Sequence, residues 1–404
     1  MAPPIPRGWL ALFGLLAAAG ALTFWFGISG TQAGRAWQAF LFNYLFWTGL
    51  SFGSVLFVAI LNMAEAFWGR PLKRLAEGLG AFLPVSYLLF WALYAGREAI
   101  FPWLHHPVPE KAAWLNVPFL FARNGAALFV LTAVAVALIY LSVRSDQALA
   151  ARLGHIPSSP SLATLSGERY WRGQQVLSPI FAILYAFILS LLAIDLIMSL
   201  DPHWISTLFG GYYFMSSFYC ALAALYLLTM ISWGRLGMKE YLRPRHLHDL
   251  GKLVFAFCIF TGYLFFVQLL TIWYGNLPEE TAFLILRVKT QPWQTVAWVI
   301  LFMIFAIPFA TLLSRKVKIK PWPAMILTLV ILAGMWLERF MLVVPSIWKG
   351  PELPLGLMEI LIAAGFFGAL ALCLAVFLRR VPLLPISDPL FRRSAAEKEE
   401  RLEP

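Results

Sequence analysis

Four ionisable residues lie in or against long apolar runs, where a charge needs a reason: Glu65, Asp195, Glu338 and Arg339. A charged side chain at the centre of a helix in lipid costs about 2.5–3.5 kcal/mol on insertion scales. Glu65 falls near one end of its run, from which a glutamate reaches water. Asp195 stands about six residues from the end of its run, too far for so short a side chain to reach the interface easily. Glu338 and Arg339 are neighbours, and adjacent residues on a helix point roughly 100° apart. We therefore expect Arg339 to pair with Asp195 on a facing helix and not squarely with Glu338. A carboxylate so placed has two chemistries open to it: accepting a proton from a substrate hydroxyl, or passing one along a relay. Asp201 and His203 follow Asp195 closely and share the first chemistry, while Tyr263 and Gln268 offer polar steps for the second. Arg97, Glu98, Arg123, Asn124, Glu279, Glu280, Arg287 and Glu359 crowd the same end of their runs, and a solvated rim accounts for many of them.

Metal and cofactor chemistry finds no ligands. The six histidines, His105, His106, His155, His203, His246 and His248, all fall in loops or at helix ends, so no facing pair exists to hold a haem. Cys220, Cys258 and Cys373 lie inside apolar runs without a CxxC spacing, which argues against a disulfide, a zinc site or an iron–sulfur cluster. Neither a phosphate-binding loop nor a dinucleotide fingerprint is present. The expectation is a chain that binds no cofactor directly, so that any redox role needs a partner that does.

The elements that must position these residues follow from composition. The chain has 404 residues, 61% hydrophobic and 13% charged, with a mean hydropathy of +0.76. Soluble domains have roughly 45–50% apolar and 25% charged residues. Apolar runs of spanning length occur at about 9–29, 37–67, 79–97, 117–143, 175–200, 206–234, 250–275, 293–314, 322–345 and 355–378. They are apolar all round, which predicts ten transmembrane helices and no barrel. With that assignment, 23 lysines and arginines fall on the side of the N-terminus and 7 on the other, so both termini are expected in the cytoplasm. The net charge of +11 is then topological and implies no nucleic-acid partner; lipids are the expected surroundings. The apolar stretch from Trp9 is too long for a cleaved signal and reads as a retained first helix.

Asp195 precedes Pro202 by seven residues and Glu338 precedes Pro345 by seven, with Trp204 and Trp348 shortly after. Their runs are four spans apart and share an orientation. This suggests two four-helix bundles in parallel repeat with two flanking helices. The expected divisions are a first helix and loop over 1–36, bundles over 37–200 and 201–348, a tenth helix over 349–379 and a cytoplasmic tail over 380–404. The longest linker, 144–174, carries Pro157, Ser158, Ser159, Pro160 and Ser161, and the tail ends in mixed charge suited to solvent or a docking partner.

Several segments resemble a known family. They are Asp195 to Gly210 (DLIMSLDPHWISTLFG), His248 to Lys252 (HDLGK), Trp273 to Thr281 (WYGNLPEET) and the pair Glu338-Arg339 before Pro345. In this order they resemble the ActF-type, NrfD-like (polysulfide-reductase-like) membrane subunit of bacterial alternative complex III, a quinol:electron-acceptor oxidoreductase. The resemblance covers most of 40–350 and implies ten helices in two four-helix bundles in the bacterial cytoplasmic membrane. It also implies partners: a sister NrfD-like membrane subunit, an iron–sulfur subunit and c-type cytochrome subunits, whose clusters and haems carry the electrons from quinol. Quinol oxidation in that family is usually assigned to the sister subunit, and the ActF type is associated with proton conduction or a structural role.

Three functional readings follow. The first is a non-catalytic or proton-conducting subunit, with Asp195, Glu338, Glu65, Tyr263 and Gln268 as candidate steps of a proton route. The second is direct quinol binding at the outer pocket by Asp195, Asp201 or His203. The third is a secondary transporter, which a parallel repeat permits, although mid-span breaks are sparse and Pro308 is the clearest.

Overall fold

The computed structural model describes residues 6–152, 167–235, 238 and 241–391. The linker prolines and serines at 157–161 and the charged end of the tail from 392 lie outside the described residues. No strand occurs among the described residues. Ten helices are long and apolar enough to cross a bilayer: α1 (Arg7–Ser29), α2 (Ala33–Met63), α3 (Arg70–Ala95), α4 (Val117–Ala150), α5 (Glu168–Leu200), α6 (Phe209–Trp233), α7 (Pro244–Gly275), α8 (Trp293–Leu312), α9 (Pro321–Ile347) and α10 (Leu357–Arg380). The protein is an all-α, multi-pass membrane protein, as the ten apolar runs predict. A helix satisfies its own backbone polar groups, which is what lipid demands of a spanning segment.

The core is organised around α2. Of its most apolar stretch, 89% is buried, against 6% for α1. Helices α2 to α5 close a ring, each packed on the next and α5 back on α2. Helices α6 to α9 close a second ring in the same way. The rings meet where α2 lies against α6 and α9, and α5 against α6. Helices α1 and α10 pair with each other outside the rings, against α2. Their crossing needs glycine, because a Cβ on Gly20 would stand 2.3 Å from the Cα of Gly365. We call the end of the bundle that carries the start of α1 and the end of α10 the terminal face, and the other the distal face.

At the terminal face α3 begins earlier than its apolar run. Arg70, Lys73 and Arg74 lie within it and are buried, not in a solvent loop as charge counting places them. They are tolerable there because each is matched. Arg70 and Lys73 both donate to Asp388 at 3.0 Å, and Arg74 donates to Glu77 and Asp146. Asp146 also accepts the backbone N–H of Ser387 at 2.7 Å. The segment after α10 therefore packs on the bundle through residue 391 instead of running free in solvent, with Asp388 4% exposed and Leu383 and Phe391 buried.

In α8, Pro308 lacks the N–H that would bond the carbonyl of Ile304. The helix widens into a π-helical turn over Phe302–Ala306. The released carbonyl of Ile304 accepts the Tyr219 hydroxyl at 3.1 Å and the Cys258 thiol at 3.5 Å. Beyond this turn α7 and α8 part. Helix α7 packs on the π turn and Ile307–Leu312, whereas Trp293–Leu301 packs on α9 and on a short helix, Pro278–Val288, that follows α7.

Candidate functional site

The two intramembrane acids have opposite environments. Asp195, near the distal end of α5, is fully buried. Arg123 of α4 grips both its oxygens, Nη2 to Oδ1 at 2.6 Å and Nε to Oδ2 at 2.7 Å. Trp114 Nε1 donates to Oδ1 at 2.9 Å and Asn124 Nδ2 to Oδ2 at 2.6 Å. The guanidinium of Arg123 is itself sandwiched, 3.9 Å from the Trp114 ring centre and 4.5 Å from that of Phe119. A bidentate pair with two further donors leaves this carboxylate no free acceptor site for a substrate. The expected Asp195–Arg339 pair does not form.

Arg339 pairs instead with its neighbour: Nη1 donates to Glu338 Oε2 at 2.6 Å. The 100° separation describes where Cβ atoms point, and a glutamate and an arginine are long enough to fold back across it. Ser216 and Ser217 of α6 receive Nη2 of Arg339 at 2.8 and 3.1 Å, and the guanidinium lies 4.4 Å from the Tyr213 ring centre. The pair thus sits at the junction of α6 and α9. Glu338 is 4% exposed, and its second oxygen, Oε1, has no hydrogen-bond partner. The Tyr212 hydroxyl stands near the carboxylate without forming a well-made hydrogen bond.

Glu338 is part of the wall of a cavity of about 120 Å³ inside the second ring. Tyr212 of α6, Phe265 and Gln268 of α7, Ala297 and Ile300 of α8 and Met341 of α9 contribute to the same wall. The short helix closes the distal end with Phe283 and Arg287. Trp204, from the turn before α6, stacks face to face on Phe283, 3.7 Å between ring centres and 2° between planes, and its own Nε1 has no partner. Arg287 is anchored by the carbonyls of Phe283, Met341 and Leu342 and by Ser346 Oγ at 2.7 Å. Burial pulls its pKa down and the field of Asp201 partly restores it; a guanidinium stays charged at neutral pH regardless.

Of the residues singled out from sequence, Glu338, Arg339 and Gln268 come together here. Asp195 lies apart in the first ring, locked by Arg123. Asp201 is half-buried on the distal face and His203 is exposed there. Glu65 stands on the terminal face in the turn after α2, exposed, with φ 47°. Tyr263 points outward, 57% exposed. Sequence reasoning missed Tyr212 and Phe283, aromatic residues in strongly apolar surroundings that no spacing distinguishes from core. Among the described residues no three His, Cys, Asp or Glu side chains gather to hold a metal ion. Comparison with known proteins finds no match for this chain among family models or curated sequences.

Proposed function

We propose that this chain is a membrane subunit of a quinol-oxidising respiratory complex of the alternative complex III type, ActF-like, in the bacterial cytoplasmic membrane with both termini inside. In this reading it binds no cofactor. It works with a sister NrfD-like subunit, an iron–sulfur subunit and c-type cytochromes that carry the electrons. The sequence segments around Asp195, His248, Trp273 and Glu338 support it, as does the charge asymmetry of the loops. The observation that carries it is the contrast between the two acids. Asp195 is consumed in a structural pair, whereas Glu338 keeps a free oxygen on an apolar cavity within the span region. That is a framework subunit with one group left to exchange a proton. Direct quinol oxidation at Asp195 finds no support, because its oxygens are fully taken.

The test is purification of the tagged chain from its native membrane in mild detergent. Co-purifying iron–sulfur and c-type cytochrome subunits are the expected result. A chain that purifies alone, from a membrane whose quinol-dependent cytochrome reduction survives its deletion, rejects the reading.

A further inference from the structure

We infer that the notch between the first turns of α7 and the loop joining α8 to α9 is a binding site for the phosphate headgroup of an anionic phospholipid, with Lys318 at its centre and Lys252 beside it. The site stands whether or not the subunit reading does.

The loop between α8 and α9 forms a short helix, Arg315–Ile319, that packs on α7. The Tyr226 hydroxyl of α6 donates to the backbone carbonyl of Lys318 at 2.5 Å and fixes its place. The lysine stem lies where Gly251 of α7 leaves room. A Cβ on Gly251 would stand 2.8 Å from Lys318 Cγ and 3.0 Å from the Tyr226 hydroxyl. Lys318 is 8% exposed as a result. A lysine at a bilayer edge ordinarily lays its stem on apolar surface and extends its ammonium into water. Arg70, Lys73 and Arg74, the other buried cations of this face, each meet a carboxylate. The Lys318 ammonium makes no ion pair and no hydrogen bond among the described residues. It stands 5.8 Å from the centre of the Phe255 ring, at the outer limit of a cation–π contact. A cation so closely held and so poorly matched calls for an anion. More positive charge gathers around it. Lys252, next to Gly251, is exposed and reaches Asp249 at 3.0 Å. The fields of Lys252, Lys318 and Arg315 all act on His248, and Asp249 is the one carboxylate among them. Three cations against one acid leave an excess that a phosphate would answer.

That the phosphate is a lipid's follows from what lies beneath it. Gly251, Phe255 and Ile259 are spaced four residues apart and share one face of α7. Phe255 meets Phe309 of α8, 5.7 Å between ring centres, and Phe309 and Ile259 are exposed on the outside of the bundle. The ammonium thus stands at the head of an apolar strip turned towards acyl chains. A phospholipid held by its phosphate on Lys318 would lay its own chains along that strip, whereas a free phosphate would gain nothing from it. The excess of positive charge favours a headgroup of net negative charge over a zwitterionic one, whose own ammonium would be repelled.

The test is a lipid titration of the full chain, with whatever subunits accompany it, read by native mass spectrometry from detergent. Phosphatidylglycerol is the probe and phosphatidylcholine the zwitterionic reference. Preferential retention of phosphatidylglycerol is expected. Lys318→Met, which keeps the stem and drops the charge, should weaken that retention about fivefold, and Lys318→Arg should preserve it. Lys252→Met, at an exposed position, should also weaken it; if Lys318→Met does not assemble, this variant decides. Arg379→Met removes one charge from the same face at the end of α10 and should leave the affinity unchanged. Excess inorganic phosphate should not displace the lipid. Equal retention of the two lipids, undiminished preference in the deciding lysine variant, equal loss in Arg379→Met, or displacement by inorganic phosphate would each overturn the proposal.

Discussion

Arg123 on α4 and Asp195 on α5 meet in a two-pronged ion pair at 2.6 and 2.7 Å, with the carboxylate completely buried. This contact joins two helices of the first ring at their distal ends. Breaking one partner leaves a buried charge alone, which typically costs about 3–5 kcal/mol. Arg123→Met or Asp195→Leu should therefore lower the unfolding temperature sharply in detergent. The double variant Arg123→Met/Asp195→Leu should recover most of the loss, as measured in a double-mutant cycle. Equal loss in the double variant would show that the pair is not the reason for the effect.

The same logic applies to Glu338 and Arg339 with one difference. Arg339 is held by Ser216 and Ser217 as well as by the carboxylate. Arg339→Leu strands the buried glutamate and removes a donor from both serines, and should cost about 3–5 kcal/mol by thermal unfolding. Ser217→Ala removes one weak contact at 3.1 Å and should cost only about 1 kcal/mol.

A double-mutant cycle also tests the account of α8. Tyr219→Phe removes the strongest donor to the Ile304 carbonyl and should cost about 1–2 kcal/mol. In a Pro308→Ala background the helix regains its own N–H for that carbonyl. The same Tyr219→Phe change should then cost markedly less. Additive effects would contradict the link between the proline, the π turn and Tyr219.

The clasp at the terminal face has a definite pH response. Burial pushes the Asp388 carboxyl up, but Lys73 and Arg70 together hold it below the ordinary carboxylate range. A depressed folded pKa contributes stability that is present above the unfolded value, about 3.9. That stability is lost as pH falls through the folded value. The segment 381–391 should thus stay protected from protease at neutral and mildly acidic pH, and open only below about pH 4. Asp388→Asn should open it at neutral pH, read by limited proteolysis. Identical cleavage of variant and wild type at pH 7 would show that the ion pairs do not hold the segment.

The spans were legible because their signal is local. A continuous run of about twenty apolar residues demands a helix in lipid whatever lies beside it. The start of α3 was not, because Arg70, Lys73 and Arg74 look like loop charges until Asp388 and Asp146 arrive from elsewhere in the chain to join Glu77 on the same helix. Asp195 and Glu338 stood out as costly, and both prove buried. Their partners were misassigned for two physical reasons. Which arginine reaches Asp195 depends on how α4 and α5 pack, and long side chains on neighbouring residues can fold towards each other. The cavity had no signature, since a void is a property of packing and not of any residue.

The proposed function makes the chain part of a quinol-oxidising complex whose cofactors reside in partners. Its most direct test is the reduced-minus-oxidised visible spectrum of the tagged chain purified from its native membrane, recorded after addition of quinol. The account predicts c-type haem bands that appear on quinol addition and vanish when the chain is released from its partners by strong detergent. A colourless preparation, from membranes whose quinol-reducible haem is unaffected by deleting the chain, would contradict it.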